Sequence, residues 1–182
     1  MEPCSSEVLP DIEKHKILRY YFTKYNLKIF VETGTYIGST VKAMSTFAEK
    51  IYSIELNNIL YKKAVRRFRG SDNINIIHGD SIYKLKELIP IIDKPTLFWL
   101  DAHYSGIKTA YGVKKTPIVE EIESIFSVKY LNHVIMIDDI RYFGFDRNYP
   151  RVKNLIKIIE SNNKNVSIVI KNDIMVITPN GK

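Results

Sequence analysis

Five short apolar runs, separated from one another by longer segments with helical periodicity, constrain the fold of this chain more than any other feature. Each run is nearly continuous in apolar character, whereas a strand with one solvated face alternates apolar and polar residues. The runs are Lys28–Thr33, Ile51–Leu56, Asn73–His78, Thr96–Asp101 and His133–Asp138. Strands buried on both faces and alternating with helices predict a parallel sheet that is covered by helices on both sides.

The segments between the runs carry helix signals, and the tail of the chain carries a hairpin signal. Ser39 and Asp80 stand where helix N-caps are expected, and Pro117 suits a first helical turn. Residues 165–179 read as two strands around a polar turn at 171–173. Helices are predicted over about 11–25, 38–49, 57–69, 81–90, 117–130 and 150–162. We therefore predict an α/β fold with a doubly wound, mostly parallel seven-stranded sheet and a C-terminal antiparallel hairpin.

The chain has 182 residues and neither internal repeats nor a low-complexity linker, which predicts a single domain over 1–182. The first ten residues could be disordered. Because Cys4 is the only cysteine, no internal disulfide is possible, which favours a reducing compartment, and we expect a cytoplasmic protein. No apolar stretch approaches 18 residues, so we expect no membrane span.

The turn after the first run is rich in glycine. Gly34 and Gly38 stand four residues apart, and this spacing allows a tight turn whose backbone N–H groups face a ligand. It matches neither the dinucleotide fingerprint nor a P-loop. Glu55 ends the second run and could accept both hydroxyls of a ribose. Asp80 and Ser81 follow the third run and could contact an adenine or cap the next helix. Together these run ends predict a pocket for an adenine nucleoside.

These motifs resemble those of class I S-adenosylmethionine-dependent methyltransferases over roughly Phe30 to Arg141. The matching residues are Glu32-Thr33-Gly34-Thr35-x-x-Gly38-Ser39-Thr40, then Glu55, and then Gly79-Asp80-Ser81. The commoner turn of that family has a glycine where Tyr36 stands here, and the variant resembles a subgroup that includes sugar O-methyltransferases. The resemblance implies S-adenosylmethionine as cofactor. The implied cofactor-binding residues are Glu32, Thr33, Gly34, Thr35, Tyr36, Gly38, Ser39, Thr40, Glu55, Asp80, Ser81 and Asp101.

Three acids follow the fourth and fifth runs: Asp101, and the pair Asp138 and Asp139. These runs should be neighbouring strands, so the carboxylates converge, and buried like charges need a cation. Three carboxylates suit Mg²⁺ (or Mn²⁺), and zinc is disfavoured because the cluster offers one histidine and no cysteine. Alternatively, Asp139 caps a short turn. Metal-dependent O-methyltransferases, which the chain resembles here, place one aspartate and an aspartate pair at these two positions.

A hydroxyl acceptor needs a base, and His103 is the one histidine placed for that task, with Asp101 beside it. In the sugar-methylating relatives that the chain resembles, a histidine just after this aspartate serves as the base. The segment 104–112 is polar and contains glycine, as an acceptor-binding lid would be. The expected acceptor contacts are Tyr104, Ser105, Tyr111 and Arg141.

The most specific interpretation is methyl transfer from S-adenosylmethionine to a hydroxyl of a sugar or glycan, assisted by a divalent metal. A catechol-like phenol is an alternative acceptor. The net charge of +7 leaves open an RNA-directed methyltransferase or an RNA-binding domain. That option is disfavoured because the chain lacks both the Asn/Asp-Pro-Pro-Tyr/Phe motif and a basic-aromatic stripe. A homo-oligomer or a fusion with other glycan-building domains remains open.

Overall fold

The computed structural model describes residues 9–101, 116–127 and 132–180. It contains six α-helices and seven strands within these ranges. The helices are α1 (Asp11–Lys24), α2 (Ser39–Met44), α3 (Asn58–Arg67), α4 (Ser81–Leu88), α5 (Ile118–Phe126) and α6 (Val152–Asn162). The strands are β1 (Ile29–Thr33), β2 (Lys50–Glu55), β3 (Ile74–His78), β4 (Thr96–Leu100), β5 (Val134–Ile137), β6 (Val166–Lys171) and β7 (Ile174–Pro179). Short 3₁₀ turns occupy Ile89–Ile91 and Ile140–Tyr142.

All seven strands form one sheet in the order β3-β2-β1-β4-β5-β7-β6. The pairs among β1 to β5 are parallel, and β7 runs antiparallel between β5 and β6. Strands β1, β4 and β5 are buried at every position, as their uninterrupted apolar character predicts. The predicted fold class is confirmed, including the C-terminal hairpin.

Helices cover both faces of the sheet and create two cores. On one face, Val31, Phe98 and Ile135 pack with apolar residues of α4, α5 and α6. On the other face, Phe30 and Trp99 pack with apolar residues of α1 and α2. Burial of this kind contributes about 25 cal/mol per Å² of apolar surface, and it fixes the helices against the sheet. The ends of the central strands therefore lie on a rigid support.

The register of the sheet aligns the carboxyl ends of β1, β4 and β5. Thr33 lies opposite Leu100, and Leu100 lies opposite Ile137. The backbone bonds continue one residue further, since Asp101 N donates to Thr33 O at 3.2 Å and Asp138 N donates to Leu100 O at 3.2 Å. The residues that follow these strands consequently emerge side by side.

Two of the three predicted helix starts differ from the structure. Asp80 is an N-cap, as expected, and its carboxylate accepts the N–H of Ile82 at 3.0 Å. Ser39, however, is the first residue of α2, and Gly38 occupies the N-cap position with a left-handed φ of 75°. The prediction was wrong because it rested on the preference of serine for N-caps, whereas this turn requires a left-handed φ at the N-cap, which favours glycine. Pro117 precedes α5 rather than lying within its first turn.

In the part of the chain that the structure describes, every helix is too short or too polar to cross a membrane.

Candidate active site

Three carboxylates meet at the carboxyl edge of the sheet. Asp101, Asp138 and Asp139 each offer one oxygen, and these oxygens lie within 4.8 Å of one another. Asp101 continues β4, and the other two continue β5, so the strand register accounts for their meeting. Asp138 and Asp139 are buried, whereas Asp101 is partly exposed. We call these three residues the acidic cluster.

Burial and mutual repulsion shape the titration of the acidic cluster. The pKa of Asp138 is raised to about 7, chiefly by burial and further by the charges of Asp101 and Asp139. Asp139 adopts a left-handed φ of 57° before the second 3₁₀ turn, and its N–H donates to Asp138 Oδ1 at 2.9 Å. Within the described residues its side chain makes no capping bond to that turn. Instead, Asp139 Oδ1 lies 2.7 Å from Arg141 Nη1, which argues against the alternative of a simple cap.

Lys14 of α1 reaches into the acidic cluster, and the sequence interpretation missed it. Its Nζ lies 2.5 Å from Asp138 Oδ2 and 3.8 Å from Asp139 Oδ1. Burial lowers the pKa of Lys14, but attraction to the carboxylates outweighs this effect and leaves the pKa raised. A signal was present, because Lys14 precedes Leu18 and Phe22 at intervals of four residues, and both of those are buried.

The donor set of the acidic cluster fits a hard divalent cation. Its ligands are carboxylate oxygens, which Mg²⁺ and Mn²⁺ prefer, and the oxygens are near enough to share one ion. Asp173 joins the same network through Arg141. Four carboxylates and two basic side chains, Lys14 and Arg141, therefore carry a formal charge of −2 when all are ionised. That net negative charge would attract a divalent ion.

The turn after β1 requires both of its glycines. Gly34 and Gly38 have left-handed φ values of 89° and 75°. A Cβ on Gly38 would also lie 2.7 Å from Cε2 of Phe68. Tyr36, which replaces the glycine of the commoner turn, keeps a left-handed φ of 49° despite its side chain. That conformation costs roughly 1–2 kcal/mol outside glycine, so the turn holds its shape against local strain.

Several N–H groups of this turn are bonded within the protein, so these do not face a ligand as expected. Those of Gly34 and Thr35 donate to the Ile54 carbonyl at 2.9 and 3.3 Å. The N–H of Gly38 donates to the Thr35 carbonyl at 2.7 Å. The turn is thus bonded to β2 and to itself, which leaves its side chains and outer surface to meet a ligand.

Glu55 fastens the same turn to the end of β2. Its Oε2 accepts the N–H of Tyr36 at 2.8 Å, and its Oε1 accepts the N–H of Asn57 at 2.7 Å. Burial raises the pKa of Glu55, although these backbone bonds oppose the shift. Glu55, which is predicted to bind the ribose, therefore has a second role in the structure, since it holds the turn in its strained conformation.

A polar layer lies beneath the turn and includes the predicted cofactor residues Glu32 and Thr35. The Ser53 hydroxyl donates to Glu32 Oε2 at 2.6 Å and lies 2.6 Å from the Thr35 hydroxyl. Burial raises the pKa of Glu32 to about 8, while hydrogen bonds from Ser53 and Thr40 oppose that rise. Glu32 and Thr35 are buried, so they support the turn from inside. Ser39 lies at the start of α2, 3.5 Å from Asp11 Oδ2 through its hydroxyl.

Glu121 is a second buried acid that the sequence interpretation missed. It is 1% exposed on α5, and burial raises its pKa to about 7. It lies near Thr33 and Ser81, two of the predicted cofactor residues, and a hydrogen bond from the Ser81 hydroxyl opposes this rise in pKa. Among the described residues, Glu121 Oε1 and Thr33 Oγ1 have no partner within hydrogen-bonding geometry. The signal was an acid at the position that completes the Ile118, Ile122 and Ile125 face of the helix.

Arg141, which is predicted to contact the methyl acceptor, forms salt bridges with acidic residues of its own chain. It forms a salt bridge with Asp173 as well as with Asp139, and its backbone N–H donates to Asp173 Oδ1 at 2.7 Å. Asp173 lies in the turn of the β6–β7 hairpin, so Arg141 ties that hairpin to the acidic cluster. Contact with an acceptor stays a prediction. His103, Tyr104, Ser105 and Tyr111 lie outside the described residues, and their roles stay predictions too.

No protein-family model and no curated protein matches this sequence. Solved structures do match its fold. An O-methyltransferase from Bacillus cereus in complex with SAH has a TM-score of 0.67 at 15% identity, covering 97% of this chain and 84% of that one. The O-methyltransferase TomG from Streptomyces achromogenes, involved in tomaymycin synthesis and solved with SAM, has a TM-score of 0.65 at 14% identity, covering 96% and 82%.

A further neighbour is named for a nucleic-acid substrate. An rRNA methylase from Streptococcus thermophilus matches with a TM-score of 0.55 at 14% identity, covering 95% of this chain and 98% of that one. Proteins of this fold thus serve different acceptors, and the fold by itself does not choose among them. These neighbours share the overall fold of this chain, so the chain has a Rossmann-like fold that solved methyltransferases also have.

Proposed function

We propose that this protein transfers a methyl group from S-adenosylmethionine to a hydroxyl of a sugar or glycan, assisted by a divalent cation. The observation that carries the proposal is the acidic cluster, whose three carboxylates emerge side by side at the carboxyl edge of the sheet. Ligands of open α/β sheets bind at that edge. The fold supports the same proposal, since neighbours described as O-methyltransferases share it.

The cofactor would lie over the ends of β1, β2 and β3. Glu55 would accept ribose hydroxyls with the lone pairs that its two backbone bonds leave, and Asp80 and Ser81 would border the adenine. Gly34 and Gly38 would lie next to the methionine moiety. The exposed ring of Tyr36 on the same turn could then cover the cofactor.

The cation would be held by Asp101, Asp138 and Asp139. When bound, it supplies a positive charge that orients two neighbouring acceptor oxygens and stabilises negative charge on one of them. The acceptor oxygen attacks the methyl carbon in line, so an O–C bond forms as the C–S bond breaks. The proton of the hydroxyl passes to His103, the predicted base. Burial raises the pKa of Asp138, and a bound cation would favour its ionised form.

A sugar hydroxyl is the favoured acceptor because the turn with Tyr36 resembles that of sugar O-methyltransferases. A catechol-like phenol is the second candidate, since it too could place two adjacent oxygens on one cation. An RNA acceptor is a third class to test, suggested by the net charge of +7 and by the fold shared with an rRNA methylase.

The test is a methyl-transfer assay with labelled S-adenosylmethionine against sugars and glycans, catechols and RNA, each with Mg²⁺, with Mn²⁺ and with EDTA. We expect incorporation into a sugar hydroxyl that EDTA abolishes. His103→Ala should lower kcat by roughly 10²–10⁴-fold. His15→Ala is the control, since that histidine has no predicted role in the site and is partly exposed.

Full activity in EDTA would remove the metal from the proposal. Methylation of a catechol alone, or of RNA alone, would replace the sugar by that acceptor. Failure to bind S-adenosylmethionine in calorimetry would reject the proposed activity as a whole.

A further inference from the structure

We infer that Lys14 is a built-in cation of the acidic cluster, and that a divalent ion binds there only by displacing its ammonium group. This inference rests on the proposed function, because it assumes that the cluster takes a metal. It goes further by assigning to an N-terminal helix the control of metal affinity.

The contacts of Lys14 place its charge among the ligands. Its Nζ lies 2.5 Å from Asp138 Oδ2 and 3.8 Å from Asp139 Oδ1. The side chain of Lys14 is 14% exposed, and those of Asp138 and Asp139 are 3% and 9% exposed. Solvent screens such a pair less than it screens a surface pair, so an ion entering the cluster meets a strong like charge. An ion ligated by Asp138 Oδ2 would compete with the ammonium for the same oxygen.

The helix that carries Lys14 is fixed, whereas the side chain itself can move. Leu18 and Phe22 anchor α1 in the core, and the guanidinium of Arg19 donates to the Ala43 carbonyl at 3.1 and 2.8 Å. Lys14 lies one turn before Leu18, and a lysine has four carbons between its backbone and its charge. Rotation of that stem would withdraw the ammonium and leave the backbone of α1 in place. Displacement therefore requires no rearrangement of the fold.

Arg141 differs from Lys14 in this respect. Its guanidinium binds both Asp139 and Asp173, and its backbone N–H also donates to Asp173. A guanidinium held by two carboxylates leaves less readily than a single ammonium. Lys14 is consequently the cation that a metal would replace, and Arg141 would remain to hold Asp139.

The experiment measures Mn²⁺ affinity by the EPR signal of the free ion, using the full chain and four variants. We expect Lys14→Gln to bind Mn²⁺ about tenfold or more tightly than the wild type, since the competing charge is gone. Lys16→Gln is the matched control: it removes the same charge from the same helix, at an exposed position paired with Glu13. Its affinity should equal that of the wild type. Asp138→Asn should abolish binding.

Lys14→Arg keeps the charge and leaves no buried acid unpaired, so it tests the inference even if the glutamine variant folds poorly. We expect it to bind Mn²⁺ more weakly than the wild type, because a guanidinium held by two carboxylates leaves less readily than an ammonium does. Equal affinity of Lys14→Arg and wild type would contradict the inference. Equal affinity of Lys14→Gln and wild type, with binding still lost in Asp138→Asn, would overturn the role of Lys14 and leave the metal site standing. Weaker binding by Lys14→Gln would also overturn it. Absence of Mn²⁺ binding from every protein would instead reject the metal in the proposed function.

Discussion

At the scale of single residues, the site is dominated by acids that the fold withdraws from water. Glu32 and Glu121 are fully buried, and burial raises their pKa values to about 8 and about 7. Such groups favour the protonated form in the folded protein. The neighbourhood of the predicted cofactor turn is therefore a region where folding and proton binding are linked.

Glu121 allows this linkage to be tested away from the acidic cluster. Its folded pKa of about 7 exceeds the value near 4.5 of an unfolded glutamate, so its stabilising contribution is complete below about pH 4.5 and is lost as the pH rises through 7. Glu121→Gln should thus gain about 2–3 kcal/mol in free energy of unfolding relative to wild type between pH 5 and pH 8. Urea denaturation at the two pH values measures this change.

Glu123→Gln is the control for that prediction, because Glu123 is exposed on the same helix. Its difference from wild type should stay within about 0.5 kcal/mol at both pH values. A Glu121→Gln difference that is equally independent of pH would show that Glu121 is ionised in the folded protein throughout this range.

At the scale of elements, the β1–α2 turn determines the shape of the predicted cofactor pocket. Its left-handed positions fall at Gly34, Tyr36 and Gly38, and Glu55 binds it from the neighbouring strand. The spacing of the glycines predicted a tight turn, and the structure contains one. The N–H groups of Gly34 and Thr35 point inward because they donate to the Ile54 carbonyl of β2, and this contact could not be predicted from the sequence of the turn alone.

Gly38→Ala should destabilise the protein for two reasons: the left-handed φ, and a Cβ placed 2.7 Å from Phe68. Gly70→Ala isolates the first reason, because Gly70 has a similar φ of 83° and nothing within 4 Å of the added Cβ. We expect Gly38→Ala to cost about 1–3 kcal/mol more than Gly70→Ala in urea denaturation. Equal losses in the free energy of unfolding for the two variants would mean that the Phe68 ring moves aside without cost and that packing does not restrict position 38.

At the scale of the whole molecule, the sequence predicted the features that follow from local periodicity. Continuous apolar runs between helices predicted the parallel sheet, and the tail predicted β6 and β7. The meeting of Asp101 with Asp138 and Asp139 was also predictable, because adjacent parallel strands end at the same edge.

Features that depend on distant parts of the chain could not be predicted in the same way. Lys14 and Asp138 are separated by 124 positions, and their contact depends on how α1 packs on the sheet. The pairing of Arg141 with Asp173 depends likewise on the insertion of β7 beside β5. Periodicity could place Lys14 and Glu121 on buried helix faces, but it could not name their partners.

The proposed function places both S-adenosylmethionine and a divalent cation at one edge of the sheet. The most direct measurement is a crystal structure grown with S-adenosylhomocysteine and Mn²⁺, with the ion located by its anomalous signal. We predict one peak among the carboxylates of Asp101, Asp138 and Asp139, and a nucleoside whose ribose contacts Glu55. A nucleoside bound elsewhere, or a cluster that still holds the Lys14 ammonium and shows no Mn²⁺ peak, would contradict this placement.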